Sequence, residues 1–404
     1  MTEPLTPPAP TPSPASAATP GAESLVGGAG SAFAAAPAPG SGAGLALAGA
    51  AAGGAAGAVV GTGDVVAGPV PPRRRRRRIA ILVLLLILLG MVALFTGWYL
   101  VTRKPISELP IIPPVSQDQA PAYSFSMYGG KTGGLGSPTG VAAAADGSRI
   151  YVAQSGGTKT VVILDSKGGK IGELKPPASE PSGHTPVYVA VDPVTQDVYV
   201  TDRMTGKVYV YSAEGIYRRT FDPGKEIADT GWLPMGIGFG RDGTMYVTDL
   251  SAPASVHVFG PDGKIVRTIR PEKDPLNFPN GVWPDGSGNI YVTDSNNGRL
   301  RIFASDGREL GGIPRGAREG DLGLPRGVAI DDSGRVFVVD TSAHGVNLYK
   351  VLGPDDRKPL FLTRFGVQGT QDGAFEFPNG IAVDARGRVY VTDMANNRVQ
   401  VWSY

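Results

Sequence analysis

The sequence contains no cysteine, which excludes disulfides, thiolate metal sites and cysteine nucleophiles; an extracellular domain built this way needs a core large enough to hold without covalent staples. Histidine is nearly as scarce, with only His184, His257 and His344. Phosphate-binding loops, Gly-x-Ser-x-Gly elbows and dinucleotide fingerprints are missing as well. Residues 1–72 lack charge, with only Glu3, Glu23 and Asp64, and are about two-thirds Ala, Gly and Pro. A stretch with so few aromatics and no apolar periodicity cannot offset its chain entropy by burial, so a disordered tail is expected there.

The formal charge of +2 is unevenly placed. Arg73 to Arg78, Arg103 and Lys104 are eight of the 38 basic residues, and the tail holds three of the 36 acids. Beyond residue 104, 30 basic residues therefore face 33 acids. That balance leaves no basic stripe for nucleic acid.

What the chain does have is one long apolar run, Ile79 to Val101, without a charge over 23 residues. At about 1.5 Å per residue a helix of that length spans roughly 34 Å, enough for a bilayer core of about 30 Å. Trp98 and Tyr99 stand at its C-terminal end, where aromatic rings favour the membrane interface. A cleaved signal peptide fits less well, because the preceding segment is too long and no small-x-small site follows. With six arginines before the run and two basic residues after it, the positive-inside rule predicts a type II single-pass anchor in the cell membrane. The N-terminus is then cytoplasmic and the C-terminal domain extracytoplasmic. The expected organisation is a tail over 1–72, an arginine cluster and helix over 73–104, a Pro-rich stalk over 105–121, and a folded domain over 122–404.

That folded domain is repetitive. Phrases such as LPMGIGFGRDGTMYVTD (233–249), FPNGVWPDGSGNIYVTD (278–294) and FPNGIAVDARGRVYVTD (377–393) recur six times. Their closing residues Gln154, Asp202, Asp249, Asp294, Asp340 and Asp393 are 48, 47, 45, 46 and 53 apart. A period near 45 residues suits a propeller blade of four short strands. In each unit a Pro-x-Gly step opens an inner strand, a turn rich in Asp and Gly follows, and an apolar second strand such as Val389-Tyr390-Val391 comes next. The last unit stops after its third strand at Trp402, so its fourth should come from Tyr123 to Gly130, with Tyr128-Gly129 aligned on Phe365-Gly366. The fold class expected is all-β: a six-bladed propeller behind one transmembrane helix and a disordered tail.

The stretch FGVQGTQDGAFEFPNGIAVDARGRVYVTDMANNRVQVW (365–402), together with VTDSNNGRLRIF (292–303), resembles the NHL-repeat propellers. Enzymes of similar appearance include gluconolactonase-like proteins, peptidyl-amidoglycolate lyases and streptogramin lyases. For the first, the resemblance implies Asn, Asp and Glu ligands to a divalent metal at the channel mouth. Asn280 and Asn379 stand near where such ligands lie, but no matching Glu precedes the first inner strand. The lyases rely on several histidines, and the three here occupy different repeat positions.

The residue inside each Pro-x-Gly step is Thr139, Val187, Met235, Asn280, Arg326 and Asn379 in turn. These should ring one mouth of the channel and form the candidate ligand-binding site, with Trp232 and Trp283 available for stacking on a sugar or aromatic group. The repeated Asp is read as structural, capping backbone amides of the turn that follows it. Arg299 and Arg398 are expected to pair with nearby acids. The function expected is binding or scaffolding of a protein, peptide or glycan, with no cofactor and no catalytic residue assigned. The alternative is a metal-assisted lactonase or lyase at Asn280, Arg326 and Asn379, which would bring in a divalent cation.

Overall fold

The structure, a computed structural model, describes residues 81–93, 119–130, 134–180, 183–353 and 357–404. Residues 81–93 are helical, with apolar side chains such as Leu84 and Leu89 exposed. No helix among the described residues is long and apolar enough to cross a membrane. The remainder of the expected 79–101 span lies outside the described residues, as do the tail and most of the stalk.

From Ala122 onward the chain forms six four-stranded antiparallel sheets. Blade 1 runs from Pro138 to Leu174, blade 2 from Pro186 to Thr220 and blade 3 from Pro234 to Ile269. Blade 4 covers Pro279 to Ile313, and blade 5 covers Pro325 to Phe365. Blade 6 takes Pro378 to Ser403 and completes itself with Ala122–Met127 as its outer strand. Pairing the two ends of the domain in one sheet closes the ring and leaves no open edge between first and last blades. The expected borrowed strand is therefore present, one residue out of the expected register. Met127 pairs with Val399 as Phe365 pairs with Val346, so Met127, not Tyr128, fills the Phe365 position. Met127 is buried while Tyr128 is half exposed. A one-residue slip exchanges the faces of a strand, and the buried thioether decides which face points inward.

The inner strands touch their neighbours all the way round, blade 1 to blade 2 and onward to blade 6 and back. Each of six buried apolar clusters spans one pair of neighbouring blades. Sheets covered on both faces explain why second strands such as Val198–Asp202 and Val389–Asp393 are buried at every residue rather than alternately. Every fully buried Val, Ile or Tyr in these strands contributes about 1.5–3 kcal/mol of transfer free energy.

Two repeated residues fasten the ring. Glycine closes five of the six steps because the next blade is too near for a side chain. A Cβ on Gly281 would lie 2.6 Å from the Arg326 carbonyl oxygen, and one on Gly327 would lie 2.8 Å from that of Asn379. The threonine before the closing Asp clips blades together. The Thr293 hydroxyl accepts from the Gly281 amide at 2.7 Å and donates to the Arg326 carbonyl at 2.6 Å. Thr201 and Thr392 reach the Met235 and Thr139 carbonyls in the same way.

Candidate ligand-binding site

The repeated aspartates are buried turn and strand caps. Asp249 accepts from the Leu233 and Ser251 amides, and Asp393 accepts from the Glu376 amide, Arg398 Nε, Asn396 and Gln400. The amide ahead of the same blade's inner strand is thus a partner alongside the following turn. Arg299 and Arg398 pair at 2.8 Å with Asp294 and Asp393.

His257 is buried beside Asp249 and Ser255, a set that invites comparison with a catalytic triad. Its geometry is otherwise: the Asp249 carboxylate at 3.1 Å and the Ser255 hydroxyl at 3.2 Å both meet Nε2, while Nδ1 meets Thr268 at 2.9 Å. A triad needs acid and nucleophile on opposite ring nitrogens. Burial alone would raise the Asp249 pKa, but hydrogen bonds from His257 and the Ser251 and Leu233 amides outweigh it and leave the carboxyl below its ordinary value. His184 bonds to Asp202 at 3.2 Å, and His344 stacks on Phe377. The three histidines sit in blades 2, 3 and 5. Among the described residues no three His, Asp or Glu side chains gather in a metal-binding group.

The predicted ring divides. Thr139 is buried and its hydroxyl donates to the Ala153 carbonyl of its own blade at 3.3 Å. Val187 and Met235 enter the cluster between blades 2 and 3. Asn280 and Asn379 converge on the channel axis, where both side-chain carbonyls meet the hydroxyl of Tyr188, at 2.8 and 3.2 Å. One phenol thereby ties together blades 2, 4 and 6. Burial pushes its pKa far above the ordinary tyrosine value. Arg326, half-buried, stands over the Phe278 ring at 5.5 Å. Tyr188 was not among the predicted residues. Its signal was present in Pro186-Val187-Tyr188, the one step of the six without glycine.

Trp232 and Trp283 do not share a site. Trp232 packs on His257 and Phe259 inside blade 3, with ring centroids 5.6 and 6.3 Å away. Trp283 lies near the far end of its inner strand, where the channel widens into a vestibule of about 580 Å³. The last residue of all six inner strands lines it: Ala143, Val191, Phe239, Pro284, Ile330 and Val383. All six are apolar. The rim is charged, and three of its acids are paired: Asp331 with Arg335 at 2.6 Å, Asp384 with Arg388 at 2.8 Å, and Asp332 with Arg241.

The channel thus has one end filled by amides, a phenol and a guanidinium, and another that is open and greasy. Comparison with known proteins supports the repeat and the ring. The NHL repeat model matches residues 276–303 and 375–402, within blades 4 and 6. No curated protein matches the sequence significantly. Among solved structures, a protein of unknown function from Bacteroides thetaiotaomicron is similar with a TM-score of 0.52 and 15% identity, over 70% of this chain and 73% of that one. Virginiamycin B lyase from Staphylococcus aureus gives 0.48 and 14%, over 69% and 98%. A chain of the nidogen/laminin complex gives 0.48 and 18%, over 61% and 84%. At these identities the likeness extends to the fold alone. With a borrowed strand closing the sixth blade, the chain carries NHL repeats in a six-bladed β-propeller.

Proposed function

We propose that this propeller is a membrane-anchored, extracytoplasmic binding module that takes an apolar side chain of a protein or peptide into the vestibule at the hairpin end of its channel. The observation that carries this reading is the unbroken apolar ring from Ala143 to Val383 beneath a charged rim. A concave apolar wall with polar groups confined to its edge is the usual form of a recognition pocket. A glycan would need hydroxyl partners along the wall, where the strand ends are apolar and the polar groups are confined to the rim. The lactonase or lyase alternative draws less support, since Asn280, Arg326 and Asn379 bring no carboxylate with them. The anchor draws on the 23-residue apolar run and its arginine asymmetry, and on the exposed apolar side chains of residues 81–93, which suit a lipid surrounding.

A linear-peptide display library panned on the immobilised full chain tests the reading. Selected peptides should share one Trp, Phe or Leu anchor. Ala143→Arg should weaken them by roughly tenfold or more, as loss of a central anchor does, while Ile171→Arg on the exposed outer strand of blade 1 should leave them unchanged. Peptides that bind both variants equally would place recognition elsewhere.

A further inference from the structure

The Pro-x-Gly end of the channel holds more buried donors than acceptors. Asn280 is completely buried, and its Nδ2 has no hydrogen-bond partner. Arg326 Nε is buried and unpartnered too. The guanidinium of the exposed Arg203 lies 5.7 Å from the same Phe278 ring. Among the described residues neither arginine has a carboxylate within ion-pair distance. Tyr188 does not supply the missing acceptor: its hydroxyl donates to the side-chain carbonyls of Asn280 and Asn379, and so sits at the oxygen of the Asn280 amide and not at Nδ2. These groups are neighbours: Asn280 and Arg326 stand at the same position of adjacent inner strands, whose backbones meet where Gly281 faces the Arg326 carbonyl, and Tyr188 bonds to Asn280.

Buried donors without acceptors are strongly disfavoured, and a half-buried cation without a counter-charge adds to that cost. Burial is the main cause, and the charge of Arg203 a lesser one, that lowers the pKa of Arg326 below the ordinary arginine value. An anion would reverse both. Water would satisfy the hydrogen bonds but not the charge. A carboxylate offers two coplanar oxygens, which match one edge of a guanidinium and one amide NH₂. A phosphate brings more oxygens than there are unpartnered donors here.

We propose that this end of the channel binds a carboxylate, with one oxygen on Arg326 and the other on Asn280 Nδ2. The site is separate from the vestibule and independent of what binds there. Its ligand is a small free carboxylate or the C-terminus of a peptide chain.

Thermal unfolding of the full chain at constant ionic strength tests this, with four probes: sodium acetate, sodium phosphate, an N-acetylated tetra-alanine with a free C-terminus, and the same peptide amidated. Acetate and the free-carboxylate peptide should raise the Tm saturably, as selective binding to the folded state requires, while phosphate and the amide should not. Arg326→Gln should weaken the response at least tenfold. Asn280→Asp should supply the carboxylate internally, raising the Tm without ligand and abolishing the acetate response. A peptide effect larger than that of acetate, lost on amidation, identifies a chain terminus; an acetate effect at least as large identifies a free small acid. Either upholds the site. An equal shift in wild type and Arg326→Gln, an equal shift with phosphate, or no saturable shift would overturn it. Ala143→Arg should leave the acetate response intact, so this site and the vestibule can fail separately.

Discussion

Blades 6 and 1 are neighbours in the ring and meet the same requirement with different chemistry. Each must cap the amide that precedes its inner strand. Blade 6 does so with Asp393, which accepts from the Glu376 amide at 2.7 Å and holds the buried Arg398 at 2.8 Å. Blade 1 has Gln154 there, whose side-chain carbonyl accepts from the Gly136 amide at 2.7 Å, and Thr160 stands where blade 6 has Arg398. Both blades thus place an oxygen at this position, and in blade 6 the oxygen is charged and meets an arginine. Arginine follows in blades 4 and 6, the two that the repeat model matches. Asp393→Ala should remove about 3–5 kcal/mol of stability, because it leaves the buried Arg398 with only the exposed Asp372 carboxylate, at 3.3 Å, as counter-charge. Gln154→Ala should cost about 1–2 kcal/mol, the value of one neutral cap. Chemical denaturation of the two variants measures the difference, and equal losses would mean that the ion pair adds nothing beyond the cap.

Blade 2 sharpens the contrast from the other side, since it breaks the glycine rule and gains a function for the break. Tyr188 occupies the position where Gly281 and Gly327 press against the next blade. Its hydroxyl is the sole recorded partner of the Asn280 side-chain carbonyl among the described residues. Tyr188→Phe should cost about 1–3 kcal/mol, the penalty for a buried polar group left unmet. Tyr188→Gly would restore the repeat yet leave a cavity, and should cost more, about 3–5 kcal/mol by analogy with other large aromatic truncations. If the glycine variant were the more stable, the tyrosine would be a tolerated accident of the repeat and not a tie between blades 2, 4 and 6.

How far the sequence discloses this molecule depends on whether a feature repeats. The period, the Pro-x-Gly steps and the missing fourth strand are redundant, so six blades and their closure could be read directly. The closing register could not, because Met127 and Tyr128 are both apolar enough to be buried and only the packed ring chooses between them. Asn280, Arg326 and Asn379 were legible as polar residues in a repeat position. Tyr188 was not, although its step alone lacks glycine, because an exception carries no template for where its side chain goes. Trp232 and Trp283 looked alike as neighbours of inner strands. One precedes its strand and the other stands near the far end, and at about 3.3 Å per residue that is enough to put them at different depths. The apolar ring of the vestibule escaped notice for a different reason: a residue such as Val383 or Ile330 before a turn reads as core, and hydropathy does not say which core residues face a void.

The smallest expected effect again turns on a difference between blades. The second strand carries a buried tyrosine in most blades, among them Tyr151 and Tyr390, whereas blade 5 has Phe337 at that position, also fully buried. Burial raises the Tyr151 phenol to about 12, with Arg149 opposing; its hydroxyl donates to the Ala213 carbonyl at 2.9 Å. Unfolded, a tyrosine ionises near about 10. A folded pKa above the unfolded one means that stability is fully present below about pH 10 and is lost as the pH rises toward 12. Tyr151→Phe should therefore flatten the fall of the urea midpoint between pH 10 and 12, at a small loss near neutrality from the missing hydrogen bond. Phe337 shows that the ring accepts phenylalanine in this place, so the variant separates the titration from the packing. An unchanged alkaline slope would mean that Tyr151 ionises alike in the folded and unfolded chains, and that its burial between blades 1 and 2 is shallower than that of its counterparts.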